Sequence, residues 1–501
     1  MDNFNKEHID PSSEIALETV KSRAVKGVVF LTGRTFIFNV LSLVATGFLT
    51  VFLEPSEIGV FWIVTAVVNI LAYFGDIGLA GALIQKKEKL EDVDLHTTFW
   101  VQQTLVILLL VILFVASPKL EQIYHLSGSG MYLVYALGIS FFLSSLKTIP
   151  SILMERELRF ERLVIPQIVE NLFYNLVIVY LAWKGWGLTS YTIAVLVRGF
   201  SGLIVTYLIR PWRPKLAFSL ASLRRLLSYG LPYQLNTFLA VAKDDGMTSV
   251  LGGILGGSAF SFLGWAQKWG QAPLRFFMDH IIKVTFPAFA RMQNEKDHLR
   301  RSLERSLFFI AFLVFPSLLG LIAIAPILLA IIPRYQKWEP ALVPLMFVAI
   351  NTMFAAVTTP LTNYLNAVGK IKTTFGLMMM WTVLTWALVP IMAIKFGVNG
   401  AAMAYALVGL SSVVAIYLVR GEINFSFNRS FIKPLFSSLL MLVCLLMARP
   451  FLAVSSQSVV IMILGGMVVY LVSVYSLVGV EIANDVVRSV RSLLGRDKVV
   501  Q

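Results

Sequence analysis

The stretch FSFLGWAQKWGQAPLRFFMDHIIKVTFPAFARMQ (260–293) decides between a soluble and a membrane fold. It is mostly apolar and longer than the roughly 20 residues with which an α-helix crosses a bilayer. Lys268, Gln271, Arg275 and Asp279 interrupt it at spacings of 3, 4 and 4. On a helix of about 3.6 residues per turn these side chains form one polar stripe. Pro273 removes a backbone N–H inside the stretch, which predicts a kink or a loosened turn.

The same pattern recurs along the chain. Arg34, Asp76, Glu170, Arg198, Lys243 and Asp244 also lie in segments that otherwise read as membrane-spanning. One charge at the centre of a bilayer costs roughly 2.5–3.5 kcal/mol on insertion scales, so such residues face a bundle interior or a watery cavity. So many of them predict a polar lumen within the membrane, and with it transport.

Composition supports an integral membrane protein. The chain has 57% hydrophobic and 14% charged residues, where a soluble domain carries about 25% charged residues. Apolar runs of about twenty residues point to an all-α protein, because a barrel alternates over runs of about ten. The formal net charge of +14 would suggest nucleic acid in a soluble protein. Here topology accounts for it, and no nucleic-acid partner is expected.

Hydropathy predicts about fourteen spans, near 27–52, 58–82, 98–117, 130–150, 162–183, 187–209, 229–252, 258–285, 306–332, 340–365, 373–395, 399–419, 432–448 and 458–478. An even count puts both termini on one side. Loops on that side carry Lys86, Lys87, Lys89, Arg156, Arg159, Arg162, Arg210, Arg213, Lys215, Arg224 and Arg225. Arg291, Lys296, Arg300, Arg301, Arg305, Lys370, Lys372, Arg420, Arg429 and Lys433 continue the bias. The opposite loops hold only scattered cases such as Lys119, Lys184, Arg334 and Lys395. The positive-inside rule then places both termini in the cytoplasm. The opening residues show no short apolar run before a cleavage site, so the first span is expected to act as an uncleaved anchor.

A shift of 203 positions lays Gly27 on Gly230, Trp62 on Trp265, Phe74 on Phe277 and Asp76 on Asp279. Six spans separate the members of each pair, so orientation is kept. This predicts two parallel six-helix halves, and transporter sites commonly lie between such repeats. The expected organisation is a cytoplasmic segment 1–26, an N-terminal lobe 27–209 and an inter-lobe loop 210–228. A C-terminal lobe 229–419, accessory helices thirteen and fourteen within 420–480, and a cytoplasmic tail 481–501 follow. Spans thirteen and fourteen lack charge in their apolar cores and are expected to face lipid or a partner. Residues 481–495 have the spacing of a surface helix as well as the composition of a polar tail.

Four spans carry polar faces that would line one cavity if the halves face each other. Span one offers Thr35, Asn39, Ser42 and Thr46 beside Arg34, and span two offers Thr65, Asn69, Tyr73 and Asp76. Span seven offers Gln234, Thr237, Asp244 and Thr248 with Lys243 and Asp245, and span eight has the stripe quoted above. Glu170 and Arg198 add charges from spans five and six. Lys147 is expected to snorkel at the inner end of span four. The alternative is mutual neutralisation, with Arg275 pairing Asp279 at i,i+4 and Lys268 pairing Asp244. Many buried ion pairs would be a poor source of stability, which favours the hydrated cavity for the set as a whole.

Arg34, Arg198, Lys243, Lys268 and Arg275 are the candidate contacts for an anionic head group, since a guanidinium fork binds phosphate bidentately. Asp76, Glu170, Asp244 and Asp279 are candidates for proton or sodium coupling. Nothing in the sequence selects among them. There is no P-loop, the five histidines are scattered, and Cys444 is the single cysteine. No disulfide within the chain, metal site or cofactor is expected. Glu54 and Glu57 in the first outer loop read as a helix start with Pro55, rather than as an external catalytic pair.

The chain resembles the Wzx-type and colanic-acid-exporter-like flippases of the multidrug/oligosaccharidyl-lipid/polysaccharide exporter superfamily. The resemblance is carried by EIGVFWIVTAVVNILAYFGDIGLAGALIQK (57–86), IPSILMERELRFERL (149–163), WAQKWGQAPLRFF (265–277), VTFPAFARMQ (284–293) and LNAVGKIK (365–372). It implies two six-helix lobes in a V plus two C-terminal helices, and alternating access through a cationic lumen. It further implies a polyprenyl-diphosphate-linked oligosaccharide as substrate, moved across a bacterial inner membrane for surface polysaccharide biosynthesis. A polysaccharide polymerase and glycosyltransferases are the partners it suggests. Two other readings stand beside it. One is a cation-coupled small-molecule or drug exporter, which would favour acidic pockets. The other is an enzyme such as a polymerase, which would need a large external loop.

Overall fold

The computed structural model describes residues 17–86, 90–293 and 295–478. Lys87, Lys89 and the 481–495 segment lie outside them. In chain order the helices are α1 (Leu17–Phe52), α2 (Pro55–Phe74), α3 (Leu79–Gln85), α4 (Asp92–Tyr124), α5 (Gly128–Leu146), α6 (Thr148–Arg156), α7 (Phe160–Trp183) and α8 (Thr189–Ile209). They continue with α9 (Leu220–Val241), a π-helical turn (Ala242–Gly246), α10 (Met247–Arg291), α11 (Lys296–Ile331), α12 (Leu342–Ala367), α13 (Ile371–Leu410), α14 (Val413–Glu422), α15 (Lys433–Ala448) and α16 (Ser456–Val478). No strand occurs among the described residues. The expected all-α membrane fold is therefore what the chain adopts.

Twelve helical stretches among the described residues are long and apolar enough to cross a membrane, so the expected count of fourteen is not confirmed. Two of the expected inter-span turns fall inside helical runs. The first breaks at Gly256 (φ 73°, ψ 169°) and the second at Gly397 (φ 61°, ψ −145°). Both conformations belong to a region that is essentially closed to residues with a Cβ. The residues around Pro273 stay helical. The non-helical angles inside α10 are those of Gly256, in the expected gap between two spans, and not those of Pro273.

The chain forms two compact units, residues 1–261 and 262–501. In the first, α8 packs on α5 and α7, and α7 packs on α1. Side chains such as Leu133, Ile178 and Ala194 are fully buried there. The α8–α9 connection is tied to the start of α4. Lys215 N–H donates to His96 Nδ1 at 3.1 Å, and Ser219 N–H donates to Thr97 Oγ1 at 3.0 Å. The indole N–H of Trp100 donates to the Lys215 carbonyl at 2.9 Å.

The first unit continues through α9 into α10 because the start of α3 meets α9 and α2 meets the first part of α10. A Cβ on Gly78 would come within 2.1 Å of the Gly230 carbonyl oxygen, and one on Gly59 within 1.8 Å of the Gly257 oxygen. Backbone meets backbone at these two points, as small residues permit between membrane helices.

The second unit is organised around α11. Its apolar residues run round the whole helix, the pattern of a buried rather than a surface helix. Leu303, Val314, Phe315, Leu318 and Ala323 are fully enclosed. α12, α15 and α16 surround it. α15 contributes Met441 and Leu445 to this core, and α16 contributes Met462, Tyr470 and Val474. Their other faces expose Val443, Met447, Leu464 and Val468, as apolar side chains turned toward lipid would be.

Candidate functional site

The polar residues of the first unit converge on α7. Residues 167, 170 and 174 are three and four apart, so they share one helix face. Each of three turns on this face meets a cation from another segment. Arg34 of α1 donates Nη1–H to Gln167 Oε1 at 2.5 Å, and its guanidinium lies 5.8 Å from the Phe38 ring centre. Lys147, which follows α5, pairs with the carboxylate of Glu170, a residue 9% exposed. The Arg198 guanidinium of α8 lies 5.8 Å from the Tyr174 ring centre. Gly202 of α8 makes room for the ion pair, since a Cβ there would stand 2.1 Å from Glu170 Oε2.

Lys147 was expected to snorkel and instead turns inward to a carboxylate. The reason is local. α5 ends at Leu146, so the lysine leaves the helix end beside α7 and finds a buried acid there. Glu170 is thereby committed to a cation. Gln167 and Tyr174 escaped the sequence reading because both are neutral. Extending the 3–4 spacing from Glu170 in each direction would have found them.

A second polar seam joins α2 to α9 and the π-helical turn. Tyr73 donates its hydroxyl to the Gln234 carbonyl, and Gln234 Nε2 donates back to the Tyr73 carbonyl at 2.7 Å. Asn69 Nδ2 donates to Asp245 Oδ1 at 3.3 Å. The polar faces of spans two and seven, expected to line a cavity, thus bond to one another at these residues. Lys243 and Asp244 lie in the adjoining turn and face each other at 3.5 Å. Asp244 is largely exposed and pairs within its own turn. The extra residue of a π-turn re-aims side chains, and such turns are frequent at functional sites.

Asp76 lies in the non-helical segment between α2 and α3. Its carboxylate accepts the Ala80 N–H at 3.3 Å and also faces the amides of Gly78 and Leu79. It therefore caps the start of α3, where free N–H groups and the helix dipole favour an anion. At the other end of α3, Arg156 Nη1 donates to the carbonyls of Leu83 at 2.5 Å and Lys86 at 2.7 Å. Asp279, the repeat partner of Asp76, stands within the helical part of α10 that follows Gly256, and its side chain is outside the described set. The backbone settings of the two aspartates thus differ despite the matching positions.

In the second unit, Arg275 Nη2 donates to Gln271 Oε1 at 3.0 Å, one turn earlier on α10. Lys268 is half-buried on the same helix. Between α1 and α2, Pro55 opens α2 and Glu57 accepts the Glu54 N–H at 2.8 Å. These acids complete a helix start, as the sequence suggested. No cluster of three or more His, Cys, Asp or Glu able to hold a metal occurs among the described residues.

Known proteins resemble the chain in sequence or in fold. The succinoglycan biosynthesis transport protein ExoT of Rhizobium meliloti (strain 1021) is 25% identical over 416 residues, covering 81% of this chain and 82% of that protein. The lipopolysaccharide biosynthesis protein WzxC of Escherichia coli (strain K12) is 22% identical, covering 80% and 81%. Among solved structures, the lipid II flippase MurJ in an inward closed conformation aligns with a TM-score of 0.71 at 16% identity, over 89% of this chain and 98% of MurJ. An inward-facing multidrug resistance MATE transporter of the MOP superfamily aligns with a TM-score of 0.57 at 15% identity, over 79% and 98%. These two structures speak to fold alone. A family profile matches residues 48–343, more than half of the chain and most of the stretches that carried the resemblance, and the chain belongs to that family, the polysaccharide biosynthesis proteins.

Proposed function

We propose that the chain flips a polyprenyl-diphosphate-linked oligosaccharide repeat unit across a bacterial inner membrane for surface polysaccharide biosynthesis. One observation carries the reading. Arg34, Arg198 and Arg275 sit in membrane-length helices, and none has a carboxylate within ion-pair distance among the described side chains. An unneutralised guanidinium within a membrane is costly unless water or an anion meets it. A diphosphate is an anion suited to its planar fork. Relatives named for transport in succinoglycan biosynthesis and for lipopolysaccharide biosynthesis support this substrate class.

In this reading the diphosphate meets the arginines and the sugar lies among the neutral polar side chains, while the polyprenyl tail stays in lipid. The halves 27–209 and 229–419 alternate access, with both termini in the cytoplasm. Lys243 and Lys268 add to the field that attracts the head group. Asp76, Asp244 and Asp279 are the remaining candidates for ion coupling. The reading contains no catalytic step, and a polymerase and glycosyltransferases are its expected partners.

The test is translocation of a polyprenyl-diphosphate oligosaccharide in proteoliposomes. Arg34→Glu, Arg198→Glu and Arg275→Glu are each expected to abolish it while the protein still inserts. Full transport by all three variants would overturn the cationic site. Export of cationic drugs by a wild type that moves no lipid-linked saccharide would favour the small-molecule exporter.

A further inference from the structure

The three cations that meet α7 are held by partners of different charge. Lys147 meets a carboxylate, and the pair is neutral. Arg34 meets an amide oxygen and Arg198 an aromatic ring. An amide oxygen fixes the direction of a guanidinium and leaves its charge intact. A ring attracts the cation through its quadrupole, again without cancelling the charge.

The choice of partner is informative because a carboxylate would anchor Arg34 more strongly. Glutamate has nearly the shape of glutamine, and an Arg–carboxylate bond is charge-assisted on both sides. It would also remove a lone charge from the membrane. Stability alone therefore favours Glu at position 167, and the chain has Gln. The Arg34 Nε–H is moreover buried without a hydrogen-bond partner. One donor of the fork is anchored and another is unmet.

We infer that Gln167 and Tyr174 are positioning residues for head-group recognition. They hold Arg34 and Arg198 in place and preserve both charges for an anionic substrate. The inference rests on the flippase reading and divides the charges of the first unit by role. Arg34 and Arg198 recognise the substrate, and Lys147 with Glu170 belongs to the scaffold. The two guanidinium anchors are seven residues apart on α7, roughly 10 Å along the axis. That reach suits an extended head group better than a compact monovalent anion.

The experiment measures initial translocation rate against substrate concentration in proteoliposomes, with a polyprenyl diphosphate bearing a fluorescent disaccharide as probe. Gln167→Glu is expected to insert and to melt no lower than wild type, yet to raise half-saturation about tenfold or more. Gln167→Leu, which frees Arg34 without neutralising it, should raise half-saturation as well and supplies the answer if Gln167→Glu does not insert. Tyr174→Phe keeps the ring and should match wild type, whereas Tyr174→Leu should not. The double variant Lys147→Met/Glu170→Met should leave half-saturation unchanged.

A merely structural glutamine makes the opposite prediction, since Glu would then serve as well as Gln. Wild-type half-saturation in whichever Gln167 variant inserts, alongside loss of transport in Arg34→Ala, would overturn the positioning role and leave the flippase reading intact. Full transport by Arg34→Ala and Arg198→Ala would likewise overturn the inference, whereas no transport of the probe by an inserted wild type would remove the reading on which it stands.

Discussion

α7 and α11 are both membrane-length helices packed within their units, and they use opposite means. α11 has a mean hydropathy of 2.7 over its most apolar window, against 1.5 for α7. α11 buries Val314, Phe315 and Leu318 among apolar neighbours. α7 turns Gln167, Glu170 and Tyr174 to a lysine and two arginines. The difference teaches that burial by itself does not mark a working site. In a membrane, apolar packing makes a scaffold, and the polar residues become informative once the charge of each partner is known.

Four measurements can break or sharpen that contrast. The largest effect is expected in α11. Phe315→Ala should lose about 4 kcal/mol of stability, as large aromatic truncations in closed cores do. Denaturant titration in mixed micelles would read it, and transport per folded molecule should be unchanged. A loss of transport at wild-type stability would mean that α11 is more than scaffold.

Next comes the ion pair on α7. Glu170→Ala leaves a partly buried lysine without its counter-charge and should cost about 3 kcal/mol. Removing both charges in Lys147→Met/Glu170→Met should restore most of it. If the double variant is as unstable as the single one, the pair is not what holds α5, α7 and α8 together.

Gln167→Leu should lower stability by only about 1 kcal/mol, the order of one hydrogen bond. Its effect on transport should be much greater, and this dissociation is the clearest expected difference between the two helices. The smallest effect is expected where a hydroxyl reaches α11. Tyr470 of α16 donates its hydroxyl to the Phe312 carbonyl at 2.9 Å. Tyr470→Phe should cost roughly 0.6 kcal/mol, the average for a hydrogen bond between membrane helices.

The fold was legible because twenty-residue apolar runs have few alternatives in physics. Individual charges were legible too, since a lysine or arginine in such a run stands out. Their partners were not. Arg34 and Gln167 are 133 positions apart, and no local spacing connects them. The polar faces of spans two and seven were recognised, but sequence periodicity cannot distinguish a wetted face from one that zips onto a neighbour. Tyr73 with Gln234 and Asn69 with Asp245 show the zipped outcome. The two breaks inside long helical runs were legible as gaps between apolar runs. Gly256 and Gly397 turn the chain within the expected gaps 253–257 and 396–398, but each turn takes a single glycine, so the helical runs on either side are almost continuous.

The glycine contacts that α2 and the start of α3 make with the α9–α10 segment have a consequence for heredity. At Gly59 and Gly78 the opposing backbone already occupies the place where a first side-chain carbon would go. Every single-base change in a glycine codon that alters the residue adds at least that carbon or ends the chain. No conservative missense step exists at these two positions. Random mutagenesis with selection for insertion should therefore return almost only silent changes there, while exposed apolar positions such as Val443 and Val468 drift freely among apolar types.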